Sequence, residues 1–579
     1  MFVYLAALAA FAPSSSATAP AAESAAAVPA ESAMAAADAA WKSGDHSKAV
    51  ALARPLAEAG NGDALDLLGQ AYEYGAGVAA DPAEAARLYR RSADAGHAAA
   101  LASLGYLYET GRGVAKDMDK ANALYREGAA KGDETSTYYL ASNLFFGTGM
   151  PRAVGEGLRL ARPLAERGHG GAMHILGVAY DNGDGVARDP VKAIGWFRRC
   201  ADLGDGGCLR SLGIMYAGGR GTPRDLKTAL SFYSKAAAKD MPEAFVDVGV
   251  AHHFGYGTEV DHREAMRWYR KAADQDLPAG HAGMADLHRD GLGVARNPAE
   301  AFRMYEKAAA GGSKAAVSAM ASMLEAGEGI SADPKRAVAL WRQGAEAGDS
   351  DAMQGLGDAF RRGVGVEKDW ARALDWLTRA AEAGSTGAMV LVGYAYEVGE
   401  GPPQNHVEAL QWYSRAADRD DPTGVTNLGL MYRGGKGVKE DQAEAFRLFE
   451  RAAALDDPRG RLFLGIAYAN GDGVAQDEKR GVALIREVAD AGDAEAIGKL
   501  GLFYEAGLGV RKDEREAARL YRKAAELGDP AAMRYLGQSF ADGIGVKRDP
   551  GQAAAWLRKA QAAGDADAEA LLRELASAK

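Results

Sequence analysis

The chain has 579 residues, 48% of them hydrophobic and 25% charged, with 68 Lys and Arg against 79 Asp and Glu for a net charge of −11. That balance lacks the basic footprint of nucleic-acid binding. Gly (73) and Pro (19) make up about 16% of the chain, below the roughly 25–30% of aperiodic low-complexity sequences, and Gly at every third position is absent, so collagen is excluded. No apolar run reaches about 18 residues, so no transmembrane helix is expected.

In chain order, residues 1–12 (MFVYLAALAAFA) are apolar and are followed by Pro13 and three serines. The small-residue stretch Ala19-Pro20-Ala21 comes next. This resembles the apolar and cleavage regions of a signal peptide, although the first basic residue is Lys42. Residues 1–32 are expected to be a leader with an Ala/Ser/Pro-rich disordered segment. Export to the periplasm or beyond follows; a plain tail on a cytoplasmic protein is the alternative. Residues 33–62 align with a repeat whose inter-helix loop is short, and are expected to cap the array.

From residue 63 to 565 the sequence repeats every 36 residues. A Gly recurs at 69, 105, 177, 213 and onward to 537, with Ala at 141, 285 and 321, giving fourteen repeats without an insertion. Such a period marks a stacked array. A Gly-x-Gly pair follows six and eight residues after each of these anchors, beginning Gly75/Gly77, Gly111/Gly113 and, in repeat 4, Gly183/Gly185. Four residues past the second Gly stands Asp in eleven repeats, Asn in two and Ala153 in one.

Each repeat reads as two helices. Helix A is expected over residues 63–74 in repeat 1, with Ala64, Leu68 and Tyr72 on one apolar face. The anchor Gly permits close approach of a neighbouring helix. Gly75 sits where a C-cap requires the left-handed conformation. Asp81 then caps helix B, with Pro82 at the first helical position and Glu84 completing a capping box. Ala85, Leu88, Tyr89 and Ala93 point inward, and Gly96 ends the helix. No segment alternates as a strand does, so the fold class is all-α. Residues 566–579 are expected to form one closing helix, polar through Glu569, Arg573 and Glu574.

The pattern Ala-x3-Leu-Gly-x2-Tyr-x2-Gly-x-Gly-Val-x2-Asp-x3-Ala-x2-Tyr-x3-Ala-Ala resembles the Sel1-like repeat; residues 100–130 are a close instance. The resemblance covers about residues 33–579. It implies a right-handed α/α superhelical solenoid that binds proteins on its concave face. Relatives serve as adaptors in signalling, envelope biogenesis, exopolysaccharide control and membrane-protein degradation, and the repeats carry no reaction of their own. Repeat 3 departs most: Leu144 replaces Tyr, Met150-Pro151 enters the turn, and Ala153 replaces the cap, so its helix pair is expected to be reoriented.

Cys200 and Cys208 flank the turn between repeats 4 and 5 at positions that are mostly Ala elsewhere. This run is similar to the disulfide-bridged repeats of secreted Helicobacter cysteine-rich proteins, which implies a disulfide; two buried free thiols are the alternative. Cys-x-x-Cys is absent. His252 and His288 occupy the same helix A position in adjacent repeats and are expected to be spatial neighbours, with Asp286 and Asp290 nearby; no metal-ligand spacing accompanies them, so no metal or cofactor is expected, and a polar patch contacting a partner on the concave face is expected instead. Helix A positions two before, one after and five after the anchor vary most and are expected to face the groove. They include Tyr106, Tyr139, Phe146, Tyr394, Phe463 and Tyr535, with Phe145 alongside; aromatics make good anchors for a partner.

The Gly-x-Gly turn follows a helix, lacks a third Gly and recurs in every repeat, so it is structural rather than dinucleotide-binding. No Gly-Lys-Ser/Thr phosphate loop and no Ser-x-x-Lys nucleophile occurs. The expected function is a non-enzymatic scaffold for other proteins, exported and acting in the cell envelope or exopolysaccharide machinery. A cytoplasmic signalling adaptor is the alternative, and a β-lactamase-like or cell-wall-acting hydrolase is a distant third.

Overall fold

The computed structural model describes residues 30–577. The signal-like segment lies outside the described residues apart from residues 30–32, which begin the first helix. All regular structure among the described residues is helical, in 31 helices without a strand. Ala30–Lys42 and His46–Glu58 form the first pair. Fourteen pairs follow, from Gly62–Tyr74 with Pro82–Asp94 to Pro530–Asp542 with Pro550–Ala562. Ala568–Ser577 closes the array. The chain divides into two units, Met1–Asn297 and Pro298–Lys579, the boundary falling inside repeat 7.

The turn inside each repeat has one construction. The first Gly of the pair ends helix A in the left-handed region: φ is 70° at Gly75, 73° at Gly111 and 82° at Gly183. The second is also left-handed, at 76° for Gly77, 71° for Gly113 and 69° for Gly185. The backbone N–H four residues past the second Gly then donates to a carbonyl nine residues back, as Asp81 to Tyr72 and Asp549 to Phe540, both at 2.8 Å. Asp81 accepts from the N–H groups of Ala83 and Glu84, satisfying two orphan donors of helix B. In repeat 3, Ala153 makes no side-chain cap, yet its N–H still donates to Leu144 at 2.8 Å. Its helices, Glu134–Phe146 and Val154–Glu166, accordingly keep the bounds of their counterparts 72 residues earlier.

The anchor Gly is a seat for a side chain of helix B. A Cβ on Gly69, Gly105 or Gly213 would lie 2.5, 2.6 or 2.4 Å from the ring of Tyr89, Tyr125 or Tyr233, twenty residues on. The second turn Gly has a different neighbour, the start of helix B in the preceding repeat. A Cβ on Gly113 would lie 2.2 Å from the Pro82 carbonyl, and one on Gly221 2.6 Å from that of Pro190. One Gly thus closes a repeat and the other joins it to the repeat before.

Helix B ends at a left-handed residue, Gly in ten repeats. The other four have Asp240, Asp276, Asp420 and Asp456, with φ of 54–60°; these are the only non-Gly residues at positive φ among the described residues. Asp tolerates this region better than other L-residues but still at a cost. Asp276→Gly is therefore expected to stabilise the protein by about 0.5–1 kcal/mol, read as a raised urea midpoint at unchanged slope.

Two polar joints run between repeats. In the first, a helix B Tyr donates to an acid four residues past the anchor: Tyr89 to Glu73 at 2.9 Å, Tyr125 to Glu109 at 2.8 Å, Tyr413 to Glu397 at 2.9 Å. The middle residue of the next Gly-x-Gly turn reaches the same acid, as Arg112 on Glu73 at 3.1 Å and Lys436 on Glu397 at 2.9 Å, and in repeat 4, where Phe197 replaces the Tyr, Arg220 alone meets Asp181 at 2.8 Å. In the second, the residue three before the anchor meets the N-cap of helix A in the next repeat, 31 residues on. Ser318 donates to Asp349, Thr426 to Asp457 and Arg534 to Asp565, and Ser385 donates to Gln354.

Candidate protein-interaction face

Within each unit, helices A of successive repeats touch one another, as Ala99–Thr110 touches Glu134–Phe146 and Pro422–Gly434 touches Pro458–Asn470; no two helices B share a comparable contact. Where these contacts occur, helices A rather than helices B line up side by side along a unit. Their inward positions are closed, and their least buried stripe is the one at two before, one after and five after the anchor.

Three successive repeats place tyrosines on this stripe. Tyr74 comes from repeat 1, Tyr106 from repeat 2 and Tyr139 from repeat 3. The Tyr106 and Tyr139 rings are 6.2 Å apart, and Tyr139 stacks on the buried Tyr125 at 4.9 Å. Tyr138 continues the patch, 5.3 Å from Tyr139 and 4.7 Å from His169. Burial first, then Glu73 and Tyr106, push the Tyr74 hydroxyl well above its ordinary range. Burial and the Glu109 carboxylate raise Tyr138 to about 12. The Tyr74 and Tyr138 phenols are therefore neutral hydrogen-bonding groups at pH 7. Tyr74 is 46% exposed, so the patch offers open aromatic surface, and Phe146, further along the same stripe of helix Glu134–Phe146, is 47% exposed. Tyr394 is likewise 44% exposed, and Tyr535 is half-buried against Tyr521 at 5.3 Å.

Two residues expected at this face are in the core instead. Phe145 is fully buried, and it stands where other repeats carry the acid of the first joint. Repeat 3 has Ala161 in place of the helix B Tyr, and Phe145 packs with Ala141, Leu158 and Ala161 in that space. Phe463 is also buried, against Phe449 at 5.5 Å, with the Arg433 guanidinium 4.8 Å from its ring centre.

His252 and His288 are half-buried, and the Nδ1 atom of each has no hydrogen-bond partner. Their backbone carbonyls accept the turn bonds from Asp261 and Asn297. The neighbouring His253 makes the side-chain contacts. It stacks on Phe254 at 4.2 Å, approaches the Tyr269 hydroxyl at 3.3 Å and meets His262 edge-on at 5.5 Å. Burial holds His253 below the usual imidazole range, against the opposing pull of Asp286 and Asp290. Phe254 and Tyr256 beside it are 55% and 45% exposed, a second aromatic patch that the residue types at 254 and 256 already signalled.

Cys200 and Cys208 form a disulfide, with sulfurs 2.15 Å and Cα atoms 5.8 Å apart, between helices Pro190–Ala201 and Gly206–Gly218. No helix among the described residues is long and apolar enough to cross a membrane.

Fourteen consecutive segments match the Sel1 repeat, from 62–97, 98–133 and 135–169 to 494–529 and 530–565. No curated protein sequence matches the chain. Among solved structures, the chain is similar to a protective antigen of uropathogenic Escherichia coli with a Sel1-like fold: 32% identity over 72% of this chain and 90% of that one, TM-score 0.43. A Sel1 repeat protein from Oxalobacter formigenes is 33% identical over 39% of this chain and 94% of its own, TM-score 0.37. An immunity protein from Pseudomonas aeruginosa is 25% identical over 39% and 81%, TM-score 0.27. With repeat matches spanning residues 62–565 in the register of the helix pairs, the chain belongs to the Sel1 repeat family, an all-helical repeat scaffold suited to protein–protein interaction.

Proposed function

We propose that this protein is a non-enzymatic scaffold, exported to the periplasm or beyond, that binds partners of the cell envelope or exopolysaccharide machinery on the open stripe of its helices A. The observation that carries the reading is the Tyr74–Tyr106–Tyr139 patch, with Phe146 exposed further along the same stripe. Aromatic surface of this kind, half open to solvent yet held by a packed scaffold, suits binding hot spots. The disulfide supports an oxidising compartment. A cytoplasmic adaptor is the second reading, and reduced Cys200 and Cys208 with an unprocessed N-terminus in protein from the native host would favour it.

Tyr74→Ala with Phe146→Ala is expected to weaken partner binding at least 30-fold, the effect of losing about 2 kcal/mol. Because both side chains are about half exposed, the thermal midpoint should stay within a few degrees of wild type. Binding titration against the partner, with calorimetry of the free variant, separates the two effects. Unchanged binding would remove the patch from the reading.

A further inference from the structure

The corner between repeats 4 and 5 holds more than a disulfide. Cys200, Asp205 and Cys208 each offer a ligand atom, and these atoms all lie within 4.8 Å of one another. Both cysteines are fully buried and Asp205 is 7% exposed. Asp205 is the N-cap of helix Gly206–Gly218, and its Oδ1 accepts the Cys208 N–H at 2.7 Å. Its Oδ2 is buried with no hydrogen-bond partner.

The repeat register says what is missing there. In other repeats the N-cap acid of helix A is met by the side chain 31 residues earlier, as Asp349 by Ser318, Asp457 by Thr426 and Asp565 by Arg534. Counting back 31 residues from Asp205 reaches His174. That imidazole does not close the joint; its Nε2 lies 3.1 Å from Ser211 Oγ instead. It remains close, since one point, an ideal Cβ on Gly207, is 3.2 Å from Asp205 Oδ1 and 3.9 Å from His174 Nε2. Two sulfurs and one orphaned carboxylate oxygen therefore meet in a single buried corner, with the His174 imidazole at its edge, near enough to be brought in by a rotation.

We propose that, once its disulfide is reduced, this corner is a zinc-type metal site with Cys200, Cys208, Asp205 and His174 as ligands. Two thiolates with nitrogen and oxygen ligands suit tetrahedral Zn²⁺. Asp205 and Cys208 stand at the N-cap and third helical residue, so both reach the same side of the helix start. Thiolates sharing one tetrahedral zinc sit roughly 3.8 Å apart, from Zn–S bonds of about 2.3 Å. In the switching step a dithiol reductant attacks the Cys200–Cys208 bond. The S–S bond breaks, the reductant leaves as its own disulfide, and its two thiol protons and two electrons pass to the cysteine sulfurs. The metal then displaces both thiol protons and forms two metal–sulfur bonds. Asp205 gains a partner for Oδ2, and His174 rotates from Ser211 to bind through Nε2. A small-molecule disulfide reverses the sequence: it takes two electrons from the two thiolates and two protons from solvent, leaves as its dithiol, and the re-formed Cys200–Cys208 bond releases the metal.

The test uses the full chain, reduced with a dithiol, freed of reductant without air and titrated with Co²⁺. The expected result is saturation at about one equivalent, with thiolate-to-cobalt charge transfer and the intense d–d bands of a tetrahedral ion; the oxidised protein gives neither. Asp205→Asn preserves the N-cap and the disulfide. It and His174→Gln are each expected to weaken Co²⁺ binding at least tenfold, the loss that even supporting partners of metal ligands cause. No charge-transfer band in the reduced protein would overturn the proposal. So would equal affinity in both variants, which leaves two thiols gathering an adventitious ion. Helical circular dichroism lost on reduction and not restored by metal would overturn it too.

Discussion

Gly113→Ala is expected to cost roughly 3 kcal/mol or more and to split a single unfolding transition into two. The added methyl would lie 2.2 Å from the Pro82 carbonyl and 2.5 Å from the Ala83 nitrogen, backbone atoms that start helix B of the preceding repeat. The residue also sits at φ 71°, where an L side chain alone costs about 1–2 kcal/mol. Two penalties therefore fall on one joint between repeats 1 and 2. In a linear array stability is a sum of repeat and neighbour terms, so weakening one neighbour term uncouples the N-terminal pair and repeat 1 from the rest. Gly96→Ala is the control. Its φ is 95°, but nothing lies within 4 Å of the new methyl, so only the conformational cost, roughly 1–2 kcal/mol, is expected. Urea unfolding followed by circular dichroism compares them. Equal losses in the two variants would show that contact with the preceding repeat is not what the second turn glycine provides.

Phe145→Ala is expected to cost about 3–5 kcal/mol, the range for emptying a packed aromatic site. Phe145 is wholly buried in a cluster with Ala141 and Ala161. Repeats 1, 2, 10 and 13 solve the same volume problem with Gly at the anchor, Tyr in helix B and Glu on helix A joined by a hydrogen bond of 2.5–2.9 Å. Repeat 3 inverts that arrangement, with the ring on helix A and a methyl on helix B. The combination Ala141→Gly, Phe145→Glu and Ala161→Tyr restores the common form, and it is expected to recover stability to within about 1 kcal/mol of wild type. A combination no more stable than Phe145→Ala would contradict this account of repeat 3.

Much of this architecture was legible because each repeat writes it again. Fourteen Gly-x-Gly turns, thirteen of them followed by Asp or Asn, mark the helix pair of each repeat, and in repeat 1 the expected helix A of residues 63–74 and the inward Tyr89 and Ala85 agree with the structure. The polar joints do not show in helical periodicity because the Tyr and acid lie sixteen residues apart across the turn and the inter-repeat partners 31 or 39 apart. Subtracting one period would have found them: Glu73 with Arg112 and Glu397 with Lys436 obey the same offset. Phe145 was misplaced because its neighbour in sequence, Phe146, does lie on the open stripe, while Ala161, which makes room for Phe145, is sixteen residues further on. His252 and His288 share a register position in adjacent repeats, but the stacking and hydroxyl contacts belong to His253, one residue along, which that register does not mark.

The central claim is that partners bind on the helix A row. It is tested most directly by a photo-crosslinking residue placed at Tyr106, on that row, and in a second protein at Arg87, which is exposed on helix B. Both are expressed in the native host and irradiated. The claim predicts a discrete crosslinked partner from position 106, none from position 87, and loss of the product when Tyr74→Ala and Phe146→Ala are added. Equal products from both faces, or a position 106 product that survives those two substitutions, would contradict it.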